Sequence, residues 1–245
     1  LTTGYARELF LLRARAADSA FVPTTDDDDA ITAICERLDG IPLAIELAAA
    51  RTRSLAPPDL LERLNDRFRL LRGGGRGGLE RHQTLRETVR WSYQLLTGPE
   101  QVLFDRLSVF VGSFDLAAAE AVTAGGPIDE FDVADRLGSL VDKSMVNVER
   151  SNGTMRYRLL ETLRQYGEER LDAEETATRR GVHLDHYAAV VARLHEQWVG
   201  PDQLDADAGF ERDWENIRAA HHWAVLTEDL DRVVALSRYL SGHAW

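Results

Sequence analysis

The sequence predicts a mainly α-helical chain broken by one short β-hairpin, and three observations carry that reading. Apolar residues recur at helical spacing through most of the 245 residues. Two strand-like runs flank Asn152-Gly153, the strongest hairpin signal a local sequence offers. A glycine-rich run from Arg72 to Gly78 separates the first helices from the rest and reads as a flexible linker.

Composition narrows the class. Hydrophobic residues make up 44% of the chain, enough for a buried core and too many for wholesale disorder. No run of about 18 apolar residues exists, so nothing is predicted to span a membrane. The start, Leu1-Thr2-Thr3-Gly4, has neither a basic opening nor an apolar signal core, and reads as a cut through a longer cytoplasmic protein. The single cysteine, Cys35, excludes an internal disulfide, fits a reducing compartment, and is expected as a small buried hydrophobe. A net charge of -12 opposes non-specific attraction to a polyanion, while leaving room for a local basic patch.

Residues 1–71 read as consecutive helices. Two sets at helical spacing, Leu9, Leu12, Ala16 and Phe10, Ala14, Ala17, mark the first. After Pro23, Thr24 and Thr25 precede Asp26-Asp27-Asp28-Asp29, an acidic start that suits the positive end of a helix and can cap it. The acidic run lacks the alternating ligands, glycine and distal glutamate of a calcium loop. Gly40-Ile41-Pro42 ends one helix and starts the next, which is apolar almost all round from Leu43 to Arg53 and is therefore expected to be buried. Pro57-Pro58 opens another.

The linker spans 72–82, and a compact module is expected over 83–173. Leu85, Val89, Ser92 and Leu96 line its first helix. Thr97-Gly98-Pro99-Glu100 has capping-box form ahead of a helix lined by Leu103, Leu107 and Phe110. Helices near 115–122 and 129–142 precede the hairpin runs Met145–Glu149 and Thr154–Leu159, and a helix from Leu160 to Asp172 closes the unit. Helices followed by a hairpin is the winged-helix order. Residues 174–245 carry three more stripes: Tyr187, Val191, Leu194, Trp198; Phe210, Trp214, Ile217, His221, Ala224; and Leu230, Val233, Leu240. These resemble the start of an α-helical repeat, TPR-like in character.

Candidate chemistry is sparse. Gly73 and Gly78 have phosphate-loop separation, but Leu79 and Glu80 stand where Lys and Ser/Thr are needed, and no apolar strand precedes. His183 and His186 are three apart, yet no third ligand sits at a persuasive distance, so a solvated helix face accounts for them more simply than zinc. His221 lies on an apolar stripe and reads as a core or interface histidine. His222 points elsewhere, and His82 has no evident partner. No nucleophile elbow or Ser/His/Asp arrangement exists, so no enzyme activity is expected of this segment. The helix that a winged-helix reader would insert in the major groove carries Asp129, Glu130, Asp132, Asp135 and Asp142 against Arg136 and Lys143, which phosphates repel. In the wing region Arg150 is also basic, but alternation puts Arg156 and Arg158 on one strand face, where acids can pair with them. A packing and hinge role is favoured over direct DNA binding.

Several motifs in this order resemble one family. Ile34 to Arg51, around Gly40-Ile41-Pro42-Leu43-Ala44, is similar to the GxP segment of STAND-class ATPases, which include the NB-ARC switches. Thr84 to Tyr93 and Leu107-Ser108-Val109-Phe110 resemble the start of their winged-helix domain. Leu140 to Val146 and Tyr157 to Tyr166 resemble its end, and Trp214 to Ala220 the opening of the helical repeats. The nearest group is the large bacterial regulators that often carry a LuxR-type helix-turn-helix, sometimes with a cyclase.

The resemblance implies a helical, ARC-like lid (1–71), a winged helix (83–173) and a repeat or sensor region (174–245). They would be the moving part of a signalling switch whose P-loop domain, binding ATP or ADP with Mg, lies before residue 1. Tentative nucleotide contacts would be Gly40, Pro42 and Glu161, although a helix boundary alone also accounts for Gly40 and Pro42. Leu159, Leu160 and Glu161 stand where the family often has Met-His-Asp, and Leu160 offers no hydrogen-bond donor to ADP. The expected partners are the P-loop domain and a protein or ligand effector on the helical repeats. The alternatives are a winged-helix DNA-binding fragment of a transcription factor, or a helical-repeat scaffold.

Overall fold

A computed structural model describes residues 2–38, 40–69, 78–151, 154–201 and 203–240. Most of the glycine-rich run and the Asn152-Gly153 turn lie outside them. The chain forms two compact units, one of residues 1–97 with 139–145, the other of 98–138 with 146–245.

The first unit is helical. Its helices are α1 (Thr3–Ala17), α2 (Thr25–Arg37), α3 (Pro42–Ala49), α4 (Pro57–Arg69) and α5 (Gly78–Gln94), with a 3-10 turn over Ala50–Arg53. Helix α1 buries Ala6, Phe10 and Ala14, packs Leu9 against the edge of the core and leaves Leu12 and Ala16 in solvent, so the Phe10 set supplies most of the core face. Thr24 and Asp27 form a reciprocal capping box at the start of α2: the Asp27 amide donates to the Thr24 hydroxyl, and the Thr24 amide to the Asp27 carboxylate. Asp28 takes an ion pair from Arg7 at 2.7 Å. The acidic run is thus a helix start.

Gly40 sits at φ 64, and its amide reaches back to the Cys35 carbonyl at 3.1 Å. That left-handed turn favours glycine. Helix α3 then buries Ala44, Ile45, Leu47, Ala48 and Ala49, as an all-round apolar helix must. Cys35 is buried in the same core, and desolvation pushes its thiol pKa up to about 11, which leaves it inert. Helix α5 packs on α3 through the first unit's core residue Trp91, although its sequence reads as the opening of the next module. The buried Arg51 donates to the Ser92 carbonyl on α5 at 3.0 Å.

The second unit contains α6 (Gly98–Leu107), α7 (Leu116–Thr123) and α8 (Glu130–Asp142) as far as Gly138, then strands β1 (Asn147–Ser151) and β2 (Thr154–Arg158), then α9 (Glu161–Glu168). The strands are antiparallel, with Asn147 opposite Arg158 and Val148 opposite Tyr157. Phe114, between α6 and α7, adds a further rung: its amide donates to the Tyr157 carbonyl at 2.9 Å, and the Tyr157 amide returns the bond at 2.8 Å. Leu103, Phe104, Leu107, Phe110, Phe114, Val133 and Leu137 are buried beneath. Phe110 and Phe114 stack at 4.2 Å.

Helices α10 (Ala173–Trp198), α11 (Gln203–Leu226) and α12 (Leu230–Leu240) complete the unit. Tyr187, Val191 and Leu194 on α10, with Phe210, Ile217 and Ala224 on α11, are buried as their spacing predicts. Gly209 lets α11 approach α10: a Cβ there would lie 2.5 Å from Leu194 Cδ2. In the third stripe, Leu230 is exposed at the first turn of α12 and Val233 is half-buried, the side chain of Leu240 lies outside the described residues, and Leu236, which the stripe omits, is buried.

Candidate functional site

The winged helix presents two surfaces on which function could rest, and their charges differ. On α8, Val133, Leu137 and Leu140 turn inward. Glu130, Asp132, Asp135 and Asp142 stay exposed, and Arg136 is tied to Asp132 at 2.5 Å. Phe131 is 90% exposed at the helix start. Asp142 is paired with Arg53 at 2.5 Å, but four carboxylates against these two arginines still leave the face net negative, which repels a phosphate backbone.

The wing carries the opposite charge, but it is already engaged. Arg156 is 5% exposed. It donates to the Ser113 carbonyl at 2.6 Å and to Asp213 Oδ1 on α11 at 2.6 Å, with Asp115 3.7 Å away. Arg158, two residues on and so on the same face, pairs with Glu215 at 2.6 Å. The acids that strand alternation led us to expect are therefore both on α11. Arg150 is exposed on the partner strand.

Asn216 completes the arrangement. Fully buried, its side-chain oxygen accepts from the Val111 amide at 3.0 Å and the Gly112 amide at 3.3 Å, while its nitrogen donates to the Ser113 carbonyl at 2.9 Å. One face of α11 thus holds both the 111–113 segment and the wing. Gly112 is the point of closest approach: a Cβ there would meet Glu215 Oε2 at 2.8 Å and Glu215 Cβ at 2.9 Å. Gly112→Ala should therefore cost about 1–3 kcal/mol by overpacking, read as a lower urea midpoint with unchanged slope.

The histidine pair is corrected. His183 is not on a solvated face: it is 3% exposed, packs against Phe110 and Tyr187, and lies 3.4 Å from the Asn216 oxygen. Burial lowers its pKa to about 4. His186 is also lowered, chiefly by burial. No group of three or more metal-ligating side chains occurs among the described residues. His221 is half-buried and lies 2.9 Å from the Ser237 hydroxyl. The side chain of His82 lies outside the described residues.

The three residues named for nucleotide contact fall in different units, Gly40 and Pro42 in the first and Glu161 in the second. Pro42 is exposed in the first turn of α3, beside the left-handed Gly40. Glu161 starts α9. Its carboxylate accepts from Arg164 at 2.8 and 2.9 Å and from Gln165 at 2.7 Å, and Arg164 holds its pKa below the usual carboxylate range. An acid so engaged offers a phosphate no free donor.

Among the described residues no helix is long and apolar enough to cross a membrane. Residues 96–172 match the winged helix-turn-helix domain family. Proteins provisionally named HTH-type transcriptional regulators, from Mycobacterium bovis and Mycobacterium tuberculosis, are 47% identical to this chain over 99% of its length and 28% of theirs. An uncharacterized protein of Mycobacterium tuberculosis is 44% identical over 82% of this chain and 49% of its own length. The chain spans from about a quarter to a half of these relatives. Residues 96–172 are a winged helix-turn-helix domain within a mainly helical chain.

Proposed function

We propose that this chain is a non-catalytic regulatory segment of a transcriptional regulator, in which the winged helix relays conformational state and does not itself read DNA. The observation that carries this reading is the engagement of Arg156 by Asp213 and Ser113, which commits the wing's buried cation to the C-terminal helices. The acidic exposed face of α8 supports it from the other side. Binding of a protein or small-molecule effector to α10–α12 would then act on the wing through α11, a two-state element of the kind that ligands bias.

The resemblance to nucleotide switches extends the proposal. The first unit would serve as a lid over ATP or ADP held with magnesium by a P-loop domain elsewhere in the protein, and the exposed Pro42 would face the base. Phosphate contacts would belong to that other domain, because Glu161 is acidic and engaged and Leu160 has no donor. Nucleotide binding by this chain alone is expected to be negligible.

A second reading, DNA binding by the winged helix itself, is favoured by the family match over 96–172 and by the names of the relatives. On the comparisons alone it fits at least as well; the charges on α8 and the paired wing arginines weigh against it. Fluorescence anisotropy with duplex DNA at about 50 and 200 mM salt separates the two. The regulatory reading expects no saturable binding at either concentration. Tight, sequence-selective binding that weakens steeply with salt would establish the second reading.

A further inference from the structure

A cavity of about 80 Å³ lies where α7, β2, α10 and α11 meet, and it shares Arg156 and Asp213 with the wing clamp. Its volume suits two or three waters at about 30 Å³ each, or one small ion, and excludes a nucleotide. Tyr187 forms part of its wall. This tyrosine is 1% exposed, and its hydroxyl is buried without a hydrogen-bond partner among the described residues. The charges that act on that hydroxyl are those of Asp213, Arg156, Asp115 and Arg212, all of them cavity residues, so the phenol oxygen lies at the cavity end of the ring. An unsatisfied buried hydroxyl costs about 1–3 kcal/mol, which an acceptor seated in the cavity would relieve.

The surroundings select the sign of the occupant. Three arginines, Arg156, Arg193 and Arg212, face two aspartates, so the wall carries net positive charge. Asp213 is taken up by Arg156 and lies 3.4 Å from Arg212, and one oxygen of Asp115 is spent capping α7 through the Ala118 amide at 2.8 Å. Arg193 is exposed and has no carboxylate partner among the described residues. Ala117 and Ala118 place the first turn of α7, its positive end, on the cavity wall. Burial keeps the Tyr187 phenol protonated far above neutral pH, so it is a fixed donor.

We propose that this cavity binds a small tetrahedral oxyanion of the size of inorganic phosphate, held by the Tyr187 hydroxyl, Arg193 and Arg212 at the start of α7. The binding stands whether or not the wing contacts DNA. The test uses the whole chain, with inorganic phosphate as the probe and sodium chloride at matched ionic strength as the reference. At ten times its dissociation constant, phosphate should raise the thermal midpoint by about 3–6 °C over chloride. In calorimetry, Tyr187→Phe and Arg193→Gln should each weaken phosphate binding about tenfold, the loss expected for one hydrogen bond to a charged group. Arg218→Gln, an exposed arginine of α11 outside the cavity, should leave affinity unchanged. Tyr187→Phe loses no partner on folding, so in chloride its midpoint should equal or exceed that of the parent chain. Equal midpoints of the parent chain in phosphate and chloride, or undiminished phosphate affinity in both cavity variants, would overturn the proposal.

Discussion

Arg156→Ala is expected to lower the stability of the second unit by about 3–5 kcal/mol, the cost of stripping one partner from a buried ion pair. Asp213, whose side chain is only 7% exposed, would keep Arg212 alone, at 3.4 Å and itself 44% exposed. The Ser113 carbonyl would also lose its guanidinium donor. Two comparisons isolate the cause. Arg158→Ala breaks a pair in which both side chains are 53% exposed, and should cost less than about 1 kcal/mol. Replacing Arg156 with Met and Asp213 with Leu together should recover much of the loss, because the penalty comes from the orphaned charge. Urea unfolding followed by tryptophan fluorescence reads all three, since Trp214 and Trp223 lie on α11.

Acid should destabilise the same unit through His183. In the unfolded chain this imidazole titrates near its ordinary 6.5, and in the folded chain near 4, because burial among Phe110, Tyr187 and Asn216 disfavours the cation. Between those values the unfolded state holds a proton that the folded state lacks, so stability falls as pH falls. Above about pH 6.5 the residue adds no pH dependence; by pH 4 it has removed on the order of 3 kcal/mol. Paired carboxylates also lose stability in acid, so the attributable measurement is the imidazole itself. Its Cε1 proton, followed by NMR, should titrate near pH 4, whereas a midpoint near 6.5 would place the ring in solvent.

Much of this architecture was legible in the sequence, because period and punctuation are local. The strand alternation that put Arg156 and Arg158 on one face, and the apolar α3 behind Gly40 and Pro42, follow from chain geometry alone. Burial was harder to read. Two stripes compete on α1, and only packing against α2 and α3 decides that Phe10 goes inward while Leu12 stays out.

His183 sits four residues before Tyr187, so extending the α10 stripe by one turn would have placed it in the core; its polarity pointed the other way. Asp213 and Asn216 interrupt the buried stripe of α11 between Phe210 and Ala220, a signal that each has a buried partner. Which partner was not legible. Arg156 is 57 residues from Asp213 in the chain, and the loop amides of Val111 and Gly112 lie more than 100 residues from Asn216.

The central claim is that α11 holds the wing, and amide hydrogen exchange tests it most directly. The amides of Phe114 and Tyr157, which bond each other's carbonyls, report on the wing from both sides. In Asp213→Asn, the account predicts that both amides lose protection together with the Val111 and Gly112 amides held by Asn216. Loosening confined to α11, with Phe114 and Tyr157 as protected as in the parent chain, would contradict it.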